Sequence, residues 1–226
     1  STYICHPSMA NNELSGIIVT TMIAKWLSEK KLFYTYRFVF VPETLGAIVY
    51  IKKNLKVLKK RTIAGYVLSC VGDNNNYSYL TTPDENTMSD KVALHIMKHH
   101  IKNFKKYDFT FRGSDERQYC SPKVNLPIAS IMRTKYGDYE EYHTSLDNLD
   151  FINSKGLNGS FEVMKKIINA IEANFIYKPN VYCEPKLSKY SLYPVSNSSL
   201  NNSEDRNLVN LIAFIDGKRS LLEIAD

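Results

Sequence analysis

Five side chains in this sequence are of the kinds that hold or activate a metal ion, and they fall at comparable places. His6 follows the strand-like run "TYIC". Glu43 follows an aromatic and β-branched run that stops at Pro42. Cys70 and Asp73 close the apolar run "IAGYVLSCV", and His143 sits in the loop after "LPIASIMRT". In parallel α/β sheets the functional groups gather where the carboxyl ends of strands open into a crevice. Four strand ends that each deliver an imidazole, carboxylate or thiol point to one shared site. The chemistry such a set can do is hydrolysis at zinc. That ion takes imidazole, carboxylate or thiolate ligands and keeps an open position for water. A carboxylate that does not bind the ion firmly then takes the proton from that water. Glu43, just past Pro42, suits this base.

The elements that must position these groups are legible as hydrophobic periodicity. Residues 2–5 read as a buried strand, and 14–29 as a helix with Leu14, Ile17, Ile18, Met22 and Trp26 on one side. Strands are predicted over 34–42, 63–71 and 126–134, and helices over 43–55, 89–104 and about 157–176. Strands that alternate with helices predict an α/β domain with a largely parallel sheet. After Tyr177 the texture turns to Pro, Ser and Asn, which reads as a linker. The tail "DRNLVNLIAFIDGKRSLLEIAD" is helical, broken at Asp216–Gly217, and reads as the front of a second helical module. The expected organisation is therefore a domain at 1–178, a linker at 179–205 and the start of a second module at 206–226.

Composition narrows the classes. A chain of 226 residues holds one full domain and part of a second, and 44% hydrophobic residues place it among globular proteins. The four cysteines, at 5, 70, 120 and 183, are too few and scattered for a disulfide framework, so reduced thiols in the cytoplasm are expected. No run approaches the ~18 apolar residues of a membrane span, so no membrane partner is expected. The net charge of +6 rests on short lysine clusters such as "KKNLKVLKK". These read as solvated surface and argue against nucleic acid as the partner of the main body. The chain opens without Met inside a strand-like run, so the expectation is an N-terminally truncated piece of a longer protein. Three further features carry less. His95 and His99 have i, i+4 spacing but lack the Glu of a zincin helix. Ser15 lacks the preceding Gly of a nucleophile elbow and suits a helix start. Cys5 and Cys183 read as packing or surface thiols.

The segments "HPSMANNELSG", "VPETLGA", "GSDERQYCSP", "NLPIASIMRT" and "EYHTSLDNLDF" resemble the bacterial aminopeptidase-like proteins of unknown function. These belong to the wider clan of co-catalytic zinc aminopeptidases. The resemblance covers residues 2–178. It implies a three-layer αβα fold with a mostly parallel mixed sheet, and the tail resembles the opening of the winged helix that follows this domain in the family. The clan carries a His, a bridging Asp in an "Asp-x-x-Ser-Gly" setting, a Glu-Glu pair, an Asp and a final His. Carried over, these fall on His6, Asn12, Glu43 with Thr44, the vicinity of Cys70 and Asp73, and His143. Asn12, Thr44 and Cys70 depart from the pattern.

An amide in place of the bridging carboxylate removes a negative charge between two dications. The resemblance therefore implies one zinc rather than two, held by His6, His143 and one of Cys70, Glu43 or Asp115. It also places Asp115, Glu116 and Arg117 beside the pocket. There Arg117 grips a substrate carboxylate through its fork of donors, and Tyr142 donates to a developing oxyanion. The implied activity is hydrolysis of an amide bond in a short peptide or amino-sugar derivative. The rival reading is a catalytically inactive fold that serves as a binding scaffold.

Overall fold

A computed structural model describes residues 1–190, 192 and 203–226, with side chains from 207 onward in the last stretch. The chain divides into two units, Ser1–Asn169 and Ala170–Asp226.

In the first unit β1 (Thr2–Ile4) pairs in parallel with β2 (Phe40–Pro42). A four-stranded sheet is built from β3 (Gly65–Leu68), β4 (Ser78–Leu80), β5 (Lys105–Tyr107) and β6 (Ile128–Met132), in the order β3-β6-β4-β5. Backbone bonds of Ser1 link β1 to β3: its nitrogen donates to the Tyr66 carbonyl at 2.7 Å, and its carbonyl accepts from the Leu68 N–H at 2.9 Å. The β3–β6 and β4–β5 pairs are parallel, and β4–β6 alone runs antiparallel among the described pairs. The expected α/β class with a mostly parallel mixed sheet is what the chain forms. All five residues of β6, "IASIM", are buried, as a strand covered on both faces requires.

The helices are α1 (Ser15–Ser28), α2 (Leu45–Arg61), α3 (Met88–His100), α4 (Glu116–Tyr119) and α5 (Ser154–Ala173). Helix α1 packs on β1 and β3, α2 on β2 and α4, and α3 on β6. Gly16 permits the close approach of α1, since a Cβ there would stand 2.5 Å from both the Leu68 carbonyl oxygen and Thr2 Oγ1. A capping box at Thr87 and Asp90 starts α3, and Asp90 also accepts from the hydroxyls of Tyr79 and Thr82.

Three expectations are corrected. Residues 34–39 are not strand, because the three residues of β1 pair only with 40–42. Helix α2 continues past 55 to Arg61. The short β4, β5 and α4 had too few residues to show a period.

Before α1 the chain makes a π-helical turn over Ala10–Leu14, in which the Leu14 N–H reaches the Met9 carbonyl and the Ser15 N–H reaches that of Ala10. Such wide turns are frequent at functional sites. The Asp147 carboxylate holds this one by accepting from the backbone N–H of Asn11 at 2.6 Å and of Asn12 at 3.1 Å. Ser15 does start α1. Its hydroxyl, however, donates to the Asn11 carbonyl and accepts from the Val71 N–H, so it ties the turn to the end of β3.

The second unit contains the end of α5, a 3-10 turn at Leu187–Tyr190, α6 (Ser203–Phe214) and α7 (Leu221–Ala225). The predicted break at Asp216–Gly217 is present. Asp216 accepts from the N–H groups of Lys218 and Arg219, and Gly217 takes a φ of +76°. The expected linker at 179–205 lies partly outside the described residues, at 191 and 193–202. Among the described residues no helix is long and apolar enough to cross a membrane.

Candidate metal centre

Strand β1 stops at Ile4 and hands Cys5 and His6 to the sheet edge, while the π turn brings Asn12 and Glu13 back beside them. Glu13 is buried, and its carboxylate organises this corner. One oxygen accepts from the Cys5 N–H at 2.7 Å. The other lies 3.2 Å from His6 Nδ1 and 3.0 Å from Asn12 Nδ2. A carboxylate beside one ring nitrogen fixes the tautomer and leaves Nε2 with its lone pair for a ligand. Glu13 was absent from the expected site. Its only signal was that it follows Asn12 in "NNEL", and α-helical spacing does not direct both residues to one place.

Glu43 follows β2 and is half-buried. Burial and the negative charge of Glu13 raise its pKa, against the opposing charges of Arg117 and His6. The next residue, Thr44, has φ 59° and ψ −68°, a costly conformation for a β-branched residue. Two groups hold it there: its N–H donates to Asp115 Oδ1 at 2.8 Å, and its hydroxyl accepts from Arg117 Nη2 at 2.9 Å. Positive φ recurs around this edge, at Ser8, Cys70 and His143.

His143 closes the site. Its ring centroid lies 4.3 Å from that of His6 and 3.9 Å from that of Tyr142, on which it stacks. Partial burial and the neighbouring His6 lower its pKa, which favours the neutral, ligand-competent imidazole. Burial pushes the Tyr142 hydroxyl up to about 12, so it stays a donor at neutral pH.

Cys5, expected to be a packing or surface thiol, is exposed and also lies at this edge. Its sulfur, a ring nitrogen of His6 and a carboxylate oxygen of Glu43 all lie within 4.8 Å of one another. Burial and the charges of Glu43 and Glu13 raise its thiol pKa in the absence of a cation.

Several expected ligands do not join this group. Cys70 is fully buried in an apolar cluster with Leu80, Met132, Tyr136 and Tyr139. Its sulfur contacts Asn12 Oδ1 and the Tyr139 hydroxyl, and burial pushes the thiol up to about 12. Asp73 is buried with both oxygens occupied, by the N–H groups of Asn75 and Thr134, the Thr134 hydroxyl and Asn11 Nδ2. It braces the loop after β3. Glu116 likewise accepts from the N–H groups of Gly113 and Ser114 and the hydroxyls of Ser130 and Tyr136, and so shapes its own loop. Asp115 is buried, with Oδ1 on the Thr44 N–H and no hydrogen-bond partner at Oδ2, and burial raises its pKa to about 6; through Oδ1 it holds the Glu43 turn. Asn12 points its NH2 at Glu13 and its oxygen toward Tyr3 and Cys70.

The comparisons with known proteins bear on family and fold. The family model for a domain of unknown function, DUF4910, matches residues 1–174. The chain belongs to that family. A winged helix-turn-helix model matches residues 175–226 of this DUF4910 chain. A relative from Clostridium acetobutylicum named "Putative polysaccharide biosynthesis protein with aminopeptidase-like domain" is 40% identical over 227 residues, which is 100% of this chain and 52% of the relative. The chain thus spans about half the length of the curated relative it matches. A crystal structure of a "putative peptidase" from Clostridium acetobutylicum superposes with a TM-score of 0.88 at 40% identity, covering 99% of this chain and 50% of that one. An aminopeptidase from Aneurinibacillus sp. strain AM-1 gives a TM-score of 0.63 at 19% identity, over 75% of this chain and 43% of its own. A zinc aminopeptidase from Bacillus subtilis gives 0.57 at 18%, over 75% and 45%. At these lower identities the likeness is one of fold.

The donors of the DUF4910 chain fit zinc. Thiol and imidazole are ordinary zinc ligands, and the Glu43 carboxylate within 4.8 Å of both stands near enough to serve such an ion as its base. Asn12, on which the resemblance places the clan's bridging carboxylate, presents a neutral amide whose NH2 faces Glu13.

Proposed function

We propose that this DUF4910 chain is the hydrolase domain of a zinc-dependent, aminopeptidase-like enzyme that opens an amide bond in a short peptide or amino-sugar derivative. The observation that carries this reading is the convergence of Cys5, His6 and Glu43 within 4.8 Å, with the ring of His143 at 4.3 Å from that of His6. Zinc, when bound, supplies a water acidified toward neutral pH and an electropositive partner for a carbonyl oxygen. Glu43 would accept the proton of an attacking water and return it to the leaving nitrogen. Its raised proton affinity suits both transfers. Tyr142 donates its O–H to the oxygen on which negative charge develops. Arg117, exposed beside Thr44, offers its remaining N–H groups to a substrate carboxylate. The amino-sugar alternative draws on the name of the Clostridium relative, which joins polysaccharide biosynthesis to an aminopeptidase-like domain.

The test is an assay of the zinc-loaded chain on a panel of aminoacyl and amino-sugar amides. The expected result is zinc-dependent turnover of at least one class. The inactive-scaffold reading is favoured by one observation, the Asn12 amide where the clan has its bridging carboxylate. Zinc bound by the rim without turnover of any amide in the panel would establish that reading instead.

A further inference from the structure

We propose that Cys5 is a ligand of the metal, so that one zinc is held by a thiolate and by the imidazoles of His6 and His143, with Glu43 left free for proton transfer. The inference rests on the metal reading above and names its third ligand.

Position comes first. In a strand, neighbouring side chains point to opposite faces. Cys5 and His6 lie beyond the last paired residue of β1, so that alternation no longer binds them. Both are held by one carboxylate instead. Glu13 accepts the Cys5 N–H at 2.7 Å with one oxygen and lies 3.2 Å from His6 Nδ1 with the other. The backbone of residue 5 and the ring of residue 6 are thus fixed relative to each other before any ion arrives. The sulfur already lies within 4.8 Å of a His6 ring nitrogen. One tetrahedral zinc, with bonds of about 2.3 Å to sulfur and 2.0–2.1 Å to nitrogen, needs such atoms to close to roughly 3.5 Å. Cys5 is exposed, so its side chain has room to rotate about the Cα–Cβ bond toward that distance.

Charge gives the second argument. Asn12 contributes a neutral amide where a carboxylate would help to neutralise cations, and its N–H groups face inward. A thiolate at residue 5 restores the missing negative charge on the open side of the site. On binding, the thiol proton leaves to solvent as the sulfur–zinc bond forms, so affinity rises with pH. The other nearby thiol cannot substitute, since Cys70 is sealed between Asn12 and Tyr139.

Cobalt(II) distinguishes the possibilities, because a thiolate ligand gives an intense near-ultraviolet sulfur-to-cobalt charge-transfer band that nitrogen and oxygen ligands lack. The reduced, chelator-stripped full chain is titrated with cobalt(II), alongside Cys5→Ser, Cys70→Ser and Glu43→Gln. The expected result is one cobalt per chain with the band in the wild type, in Cys70→Ser and in Glu43→Gln, and its loss in Cys5→Ser. The zinc affinity of Cys5→Ser should fall by more than the roughly 10–100-fold that removing a mere partner of a ligand costs. Cobalt bound with tetrahedral visible bands but no charge-transfer band would overturn the thiolate while leaving the metal reading intact. A band that survives Cys5→Ser and vanishes with Cys70→Ser would also overturn it. No cobalt bound at all would sink both.

Discussion

Two polar regions lie side by side at this sheet edge, and they differ in whether their hydrogen-bonding capacity is used. Behind the edge, Asn11, Asp73, Thr134 and Asp147 are buried and bonded to one another and to backbone N–H groups. At the rim, Cys5, Glu43 and His143 are partly or fully exposed and direct ligand-type atoms toward His6 and each other. The contrast teaches that a polar residue at a strand end is a functional candidate only when its lone pairs are not already taken. Where they are taken, the same residue type is scaffolding, as Asp73 and Glu116 show.

The largest effect that would sharpen this contrast belongs to the rim. Glu43→Gln should leave zinc binding intact and lower amide turnover by about 10²–10⁴-fold, the usual worth of a general base. Steady-state kinetics beside a zinc titration checks both halves. A loss of zinc affinity instead would make Glu43 a ligand.

In the buried region the expectation is the reverse. Asp73→Ala should cost about 4 kcal/mol of stability in urea denaturation, because several buried donors lose their acceptor at about 1–3 kcal/mol each. His143→Ala, on the exposed rim, should change metal-free stability by only about 0.5 kcal/mol. Similar losses for the two would erase the distinction.

Glu13 stands on the boundary, buried like the scaffold yet bound to a rim imidazole. Glu13→Gln keeps one acceptor oxygen and cannot serve both the Cys5 N–H and His6 Nδ1, so it should weaken zinc binding by roughly 10–100-fold, as losing a group that orients a ligating histidine does. Isothermal titration checks it, and an unchanged affinity would place Glu13 wholly in the scaffold.

The smallest effect concerns Asp115, whose pKa burial raises to about 6. The folded chain therefore holds this proton to a higher pH than the unfolded chain. Asp115 costs nothing well below pH 4, and stability is lost as pH rises from there through about 6. In chelator, Asp115→Asn keeps the acceptor for the Thr44 N–H and should flatten that decline, with a gain of about 1–2 kcal/mol at pH 7. Equal slopes in thermal melts of the two proteins across pH 4–7 would contradict it.

The sequence showed more of the fold than of the site. Apolar runs predicted the longer strands and helices, and strand ends drew attention to His6, Glu43 and His143, which the structure brings to one edge. The remainder depended on features that a period does not record. Glu13 reaches the site because the turn before α1 is π-helical, which shifts the register an α-helix would have. Cys5 joins its neighbour because β1 ends one residue earlier. Cys70 and Asp73 sit at the expected strand end, but only their surroundings reveal that one is sealed among aromatic rings and the other fully bonded.

The central claim is that the rim, and not the buried polar cluster, is a site for one zinc. Native mass spectrometry of the chelator-stripped chain titrated with zinc tests it most directly, with His6→Ala measured in parallel. The account predicts a single zinc per chain in the wild type, retained after dialysis, and none in His6→Ala. Two zinc ions per chain, no retained zinc, or one zinc that persists in His6→Ala would contradict it.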